Sequence, residues 1–258
     1  MRRRLDAELV RRGLVASRGQ AVEVLDAGRV LVAGAPASKA ARLVGPDEAI
    51  VVAGAPRRYV SRGGEKLEAA LTRFGVDVAG RRCLDAGAST GGFTDCLLQH
   101  GAAEVVAVDV GHGQLAWSLR HDLRVVGREG TNVRHLVLDE PVPVTVADLS
   151  FISLATVAPA LRAATTPDGT FVLLVKPQFE AGPERLGRGG VVREAAVHQA
   201  VLGEVVEALV RQGIVITRLM ASPLRGPAGN VEFLALGGSG GEPAGADEVA
   251  AALAEVPA

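Results

Sequence analysis

Residues 82–93, Arg-Cys-Leu-Asp-Ala-Gly-Ala-Ser-Thr-Gly-Gly-Phe, restrict what this chain can fold into more than any other stretch. A short apolar segment ends in Asp85, a loop of small residues follows, and Phe93, Leu97 and Leu98 then repeat at helical spacing. That order predicts a strand, a tight turn and a helix N-terminus, the place where open α/β sheets bind ligands. Gly87, Gly91 and Gly92 allow close backbone approach to a ligand. Their Gly-x-x-x-Gly-Gly spacing is not the Gly-x-Gly-x-x-Gly of dinucleotide-binding loops. About 20 residues further on, a second apolar run ends in Asp109, suited to gripping ribose hydroxyls. An ordinary strand-to-helix turn is the plain alternative.

Three more short apolar runs, at residues 125–126, 144–147 and 171–175, predict further strands of the same sheet. The last two end in Asp148 and Lys176. Residues just beyond the carboxyl ends of strands in a doubly wound sheet face one crevice, so Asp85, Asp109, Asp148 and Lys176 are expected there together. Asn132 is suited either to read an adenine edge or to cap the next helix. Helices are expected from residue 61 to about 74, at 154–163 and at 195–212, with a short one at 247–255. A strand pair at 215–219 and 231–236 closes the sheet, with Glu232 near the start of the final strand. Residues 180–194 carry four glycines and Arg185, Arg188 and Arg193; they either close over a polyanion or simply connect.

Ahead of this lies a different composition. Residues 1–60 hold 11 basic against 6 acidic side chains, whereas the remaining residues hold 17 against 23. A basic head on an acidic body suggests an anionic partner, with a solvated basic helix as the bland alternative. Helices at 4–12 and 18–27, a strand at 30–32, a turn at 34–36 and a strand at 49–52 make a module of about 55 residues. Gly54, Ala55 and Pro56 break the pattern, which puts the boundary between residues 54 and 60.

Of the 28 basic side chains only Lys39, Lys66 and Lys176 are lysines, so arginine supplies routine positive charge and each lysine invites a chemical reason. Lys66 falls in the first turn of its helix, a poor place for a structural cation, which points to an anionic partner or a carboxylate. The two cysteines, Cys83 and Cys96, lie inside predicted elements, which suggests a reducing compartment. The five histidines have no metal-ligand spacing with them, so no metal is expected. Charges interrupt the N-terminus and no apolar run reaches membrane-spanning length, so a cytoplasmic protein without a membrane partner is expected, with a monomer favoured.

Residues 5–34 resemble the small RNA-binding S4 domain, through Leu-Asp-x-x-Leu-Val, Gly-Leu-x-x-Ser-Arg and Gly-x-Val-x-Val-x-Gly. The Asp-x-Gly-x-x-x-Gly-Gly loop with its strand-end acid resembles the S-adenosylmethionine site of Rossmann-like methyltransferases. Lys66, Asp148, Lys176 and Glu232 occur in the order of the tetrad of FtsJ-type ribose 2′-O-methyltransferases, which they resemble. Ser-Arg-Gly-Gly-Glu-Lys-Leu at 61–67, the loop itself, Ala-Asp-Leu-Ser-Phe-Ile-Ser-Leu at 147–154, Val-Lys-Pro-Gln-Phe-Glu at 175–180 and Gly-Asn-Val-Glu at 229–232 together resemble the TlyA, or haemolysin A, family.

The resemblance implies a Rossmann-like class I methyltransferase fold: a doubly wound, mostly parallel sheet with an antiparallel last strand. It is joined to a small α+β S4-like domain, at residues 1–56, by a linker at 57–60, with the catalytic domain at 61–258. It further implies methyl transfer from S-adenosylmethionine to the 2′-hydroxyl of cytidine in 16S and 23S ribosomal RNA, linked to capreomycin-type antibiotic sensitivity. The implied cofactor set is Asp85, Gly87, Ala88, Ser89, Thr90, Gly91, Gly92, Phe93, Asp109, Asn132 and Asp148. Arg4, Arg18, Lys39 and Arg62 are the expected contacts with ribosomal RNA or ribosomal subunits. The linker departs from that branch's Arg-Ala-Trp-Val, having Arg58-Tyr59-Val60 after Arg57. In the implied chemistry Lys176, desolvated beside another cation, takes the hydroxyl proton. Asp148 then sits near the sulfonium and orients Lys176, while Lys66 and Glu232 position the hydroxyl. A small-molecule methyltransferase or dehydrogenase leaves the basic module idle, and a pore-forming haemolysin lacks a spanning or alternating amphipathic segment.

Overall fold

The computed structural model describes residues 2–26, 28–54 and 58–256. Its packing separates two compact units, Met1–Arg58 and Tyr59–Ala258. Residues 55–57, which include Arg57 of the expected linker, and residue 27, the expected end of the second helix, lie outside the described residues.

In the first unit β1 (Arg3–Arg4) leads directly into α1 (Leu5–Arg11), followed by α2 (Arg18–Asp26), β2 (Val30–Val32), β3 (Ala35–Pro36), β4 (Leu43–Val44) and β5 (Ile50–Val52). Leu5 and Leu9 of α1 and Ala21, Val24 and Leu25 of α2 bury one stripe each against Val30 and Val32. The expected turn at 34–36 is met only at Gly34: Ala33 and Gly34 turn the chain at positive φ and let Ala35 and Pro36, as β3, pair back on β2. The pair β1–β4 had no hydrophobic alternation to announce it, since two-residue strands carry no period.

The second unit runs α3 (Gly63–Phe74), β6 (Arg82–Ala86), α4 (Gly92–Gln99), β7 (Glu104–Val108), α5 (Trp117–Arg120), β8 (Val125–Arg128) and β9 (Val142–Ala147). It continues with α6 (Leu154–Ala164), β10 (Thr165–Val175), α7 (Pro177–Glu180), α8 (Ala195–Arg211), β11 (Val215–Ala221), β12 (Phe233–Gly238) and α9 (Ala246–Ala254). The strands form one sheet in the order β11-β12-β10-β9-β6-β7-β8, parallel except that β12 opposes both its neighbours.

Alternate residues of the central strands go to opposite faces, as a period of two demands. Leu84, Val106 and Leu173 join the core against α6 and α8, whereas Cys83, Val105 and Val172 join the core against α3 and α4. The chain leaves β6 towards β7 and β8 and later returns as β9 on its other flank, so the topological switch point lies between β6 and β9. β10 is longer than the expected 171–175. Its first part, across Pro167 and Gly169, joins β9 only at Thr165, with a register shift before Thr170, so no apolar run marks it.

Candidate active site

At the switch point the three glycines of the loop after β6 serve different needs. Gly87 has φ 88°, and a Cβ there would lie 2.4 Å from the Asp148 carbonyl oxygen, so only glycine lets the segment after β9 pass this close. Gly91, at φ 97°, opens α4, and a Cβ on it would meet Leu119 at 2.2 Å. Gly92 packs on Ser61 and Gly64 in the same manner. Phe93 is buried beneath, and Ala88 and Gly87 both donate their amides to the Val108 carbonyl, which ties the loop to the end of β7.

Asp109, one residue past β7, accepts the Ser89 amide on Oδ2 at 2.8 Å and the Gly111 amide on Oδ1 at 2.7 Å. A carboxylate has about four acceptor positions, so one on each oxygen is left for a ribose diol. Thr90 accepts the Ala116 amide through its carbonyl. Asp85 differs from its expected place at the crevice mouth. It lies one residue inside β6 with no exposure, and Thr94 Oγ1 donates to its Oδ2 at 2.6 Å. Its Oδ1 has no hydrogen-bond partner, and burial pushes its pKa up to about 7, with the charges of Asp148 and Asp109 adding to the effect. Asn132 caps the short 3₁₀ turn Val133–His135 by accepting the Arg134 amide, and it also lines the crevice.

The crevice is a cavity of about 520 Å³ whose walls include Gly87, Asp109, Asn132, Asp148, Ser150 and Phe151. Val110, Val133, Leu149 and Ile152 supply its apolar surface. S-adenosylmethionine fits this donor set: Asp109 for its ribose, the apolar lining for adenine, and the Asp148 carboxylate for a cationic centre. Gly87, where a Cβ would crowd the wall, supplies the close backbone approach such a ligand needs, whereas Asp85 is fully buried and does not line the crevice.

Lys176 ends β10 beside Asp148, which ends β9, and their side chains form an ion pair at 2.5 Å. Lys176 Nζ also donates to Ser150 Oγ at 2.9 Å and stands 5.9 Å from the Phe179 ring. Its neighbours are therefore a carboxylate, a hydroxyl and an aromatic face rather than the second cation expected from sequence. Lys66, in the first turn of α3, pairs with Glu232, directly before β12, with side-chain exposures of 8% and 1%. No hydrogen bond or ion pair joins the two pairs among the described residues. Glu180, whose pKa burial raises, accepts the Ser153 hydroxyl and the Leu154 amide, pinning the start of α6 to the segment after Lys176.

Several residues here were not singled out from sequence. Gln114 accepts from the expected Ser89 beside Asp109, Thr94 holds Asp85, and Ser150 holds Lys176. Phe151 has φ 63° and 90% exposure, its ring 5.0 Å from that of Phe179. A bulky side chain at positive φ is a strained choice that the surrounding structure has to hold in place.

The expected RNA contacts fall into two groups. Arg4 donates to both oxygens of Asp6, at 3.1 and 3.0 Å, and Arg18 reaches the same carboxylate at 3.3 Å. The Arg4 hydrogen bonds are the main reason the Asp6 carboxyl lies below its usual range. Glu8 binds Arg11 and Arg12 in the same way, and its pKa falls to about 2. These arginines are thus partly neutralised in the free protein. Lys39 and Arg62 are exposed. Tyr59 is buried in the core of the second unit with Leu67 and Phe93, and the Val60 amide donates to Asp95.

The FtsJ-like methyltransferase family model matches residues 59–239, and the S4 domain model matches residues 3–50. Over 236 residues the chain is 53% identical to the 16S/23S rRNA (cytidine-2′-O)-methyltransferase TlyA of Mycobacterium tuberculosis, covering 90% of this chain and 88% of that one. A solved Streptococcus thermophilus structure that bears the hemolysin label is 39% identical with a TM-score of 0.77, covering 98% of this chain and 96% of that one. At 18% identity an S-adenosylmethionine dependent methyltransferase of Mesorhizobium loti shares the fold of the second unit, with a TM-score of 0.51 over 66% of this chain and 95% of that one.

Proposed function

Because the chain belongs to the FtsJ-like methyltransferase family, in its TlyA branch with an S4 domain, we propose that it methylates the ribose 2′-hydroxyl of cytidine in both 16S and 23S ribosomal RNA. It is an S-adenosylmethionine-dependent methyltransferase. One observation carries the reading of the site: the Lys176–Asp148 ion pair stands at neighbouring strand ends, and Asp148 and Asp109 line the same cavity.

The bound cofactor supplies a methyl group already activated on a sulfonium, so the protein has to position the nucleophile and remove its proton. Asp109 holds the ribose of the cofactor, and Asp85, Gly87, Asn132 and Asp148 shape the rest of its site. Lys176, fixed by Asp148 Oδ1 and Ser150 Oγ, accepts the 2′-hydroxyl proton on Nζ when in its amine form. With that proton removed, the ribose oxygen would be free to take the methyl group that the cofactor would supply. Lys66 and Glu232 position the ribose from the α3 side. Phe151, held outward at the crevice wall, offers a stacking face to the nucleobase, and an exposed ring of this kind suits any base. The S4 domain supplies backbone affinity through Lys39, Arg4 and Arg18, with Arg62 adding to it from the second unit. Cys83 and Cys96, buried and in no disulfide, suit work in the cytoplasm, and no helix of the described residues is long and apolar enough to cross a membrane.

The test is to incubate the purified full chain with S-adenosylmethionine and 16S and 23S rRNA, free and in assembled subunits, and to map 2′-O-methyl marks. New marks at cytidines support the reading. Methylation of bases, or none on any rRNA form, contradicts it.

A further inference from the structure

A second cavity, of about 450 Å³, shares no lining residue with the crevice. Val192, Arg193 and Ala195 stand on one wall, Arg225 and Val231 on another, and α9 closes the side with Leu253. His198 also lines it, 5% exposed and set edge-on against Phe233, with an Nε2 that has no hydrogen-bond partner. Arg193 and Arg225 stand exposed on the two walls; among the described residues no carboxylate lines the cavity, and Glu194, the exposed N-cap of α8 between Arg193 and Ala195, is outside its lining. The 17-residue helix α8 begins here at Ala195, and its N-terminus has no side-chain cap. Two guanidinium groups, an uncapped helix start and a buried imidazole without a partner make a site for an anion with hydrogen-bond capacity.

The cavity is also joined to the reaction centre. Asn230, 3% exposed, accepts the Val192 amide on Oδ1 at 3.0 Å and donates from Nδ2 to the Gly190 carbonyl at 3.2 Å. Its own carbonyl accepts the Gly226 amide at 2.9 Å. One side chain thus clamps the glycine- and arginine-rich loop onto the turn that leads to Glu232. Val231 lines the cavity, and the next residue is Glu232, the partner of Lys66.

We propose that this cavity holds one backbone phosphate of the substrate RNA, on Arg193 and Arg225, and so adds affinity for the strand beside the turn that carries Glu232. The inference rests on the rRNA methyltransferase reading and deepens it. A phosphodiester is a monoanion with several acceptor oxygens, which matches donors on two walls and at a helix start. Burial and the nearby Arg225 charge hold the His198 pKa down, so its imidazole is neutral at pH 7 and leaves the arginines as the cavity's positive charge.

The experiment compares the full-length protein with its Arg193→Gln/Arg225→Gln variant; Arg211→Gln, on the exposed last turn of α8, is the control. Substrate rRNA binding is measured across a potassium chloride series. Losing one phosphate contact should make the slope of log affinity against log salt shallower by about 0.7–0.9. Affinity should fall by roughly three- to tenfold. KM for RNA should rise to match, with kcat at saturating RNA and cofactor affinity unchanged, and the control should behave as wild type. In a second arm inorganic phosphate at fixed ionic strength should compete with RNA for the wild type but not for the double variant. An unchanged slope and KM would overturn the proposal, as would a fall in kcat alone. Phosphate moving the His198 NMR signals while the variant keeps full RNA affinity would make this a small-anion site only and equally overturn it. Because the slope is read from binding, absence of methyl transfer by the wild type would count against the proposed activity and leave the slope to judge this site.

Discussion

Glu232→Gln should destabilise the protein far more than its removal from a catalytic role alone would suggest. Glu232 and Lys66 form an ion pair with side-chain exposures of 1% and 8%. The substitution keeps the shape of the side chain, which matters because Gly226 packs so closely that a Cβ there would meet Glu232 Oε1 at 2.6 Å. What is lost is the charge that compensates the Lys66 ammonium. Removing one partner of a buried pair costs about 3–5 kcal/mol, against 0–1 kcal/mol for an exposed pair. For a domain of this size each kcal/mol moves Tm by about 2–4 °C, so the fall should be roughly 6–20 °C. Urea denaturation of the cofactor-free protein, followed by circular dichroism, reads the same loss as a lower midpoint with an unchanged m value. Lys66→Met combined with Glu232→Leu should recover most of it, since both charges then leave together. A loss below about 1 kcal/mol for Glu232→Gln would mean that water already screens the pair, and the buried geometry would not be what holds it.

Asp109→Ala should weaken S-adenosylmethionine binding by about 1.5–3 kcal/mol per lost ribose hydrogen bond, and calorimetry with unchanged affinity would move the ribose elsewhere. Asp85 has a folded pKa raised from 3.8 to about 7, so its stabilising contribution is present below pH 4 and lost as pH rises through 7. The loss is on the order of 4 kcal/mol in the cofactor-free protein, and Asp85→Asn should remove that slope; parallel wild-type and variant curves would refute it. Lys39→Gln should lower rRNA affinity and flatten its salt slope by about 0.9 or less, whereas an unchanged slope would take Lys39 out of the interface.

The sheet was legible because its central strands are short apolar runs, each punctuated by a polar residue at or near the end. Asp109, Asp148 and Lys176 lie where that punctuation put them. Asp85 does not, because sequence cannot tell a strand's last residue from its second-last, and one step turns a side chain from crevice to interior. Asn132 carried two readings, and it both caps a turn and lines the cavity. The pairing of Arg4 and Arg18 with Asp6 was invisible, since charge counts do not say which carboxylate lies within reach. The roles of Ser150 and Phe151 depend on the backbone direction after β9, where a positive φ at a phenylalanine has no sequence signature.

The central claim is that Lys176 takes the proton from the ribose hydroxyl, and Lys176→Arg tests it directly. Arginine keeps the charge beside Asp148 but stays protonated at any working pH. Single-turnover methyl transfer to rRNA, with cofactor and RNA binding checked in parallel, should fall by about 10²-fold or more while both affinities hold. Turnover near the wild-type rate would contradict the account, leaving Lys176 a fixed positive charge and the proton to another acceptor.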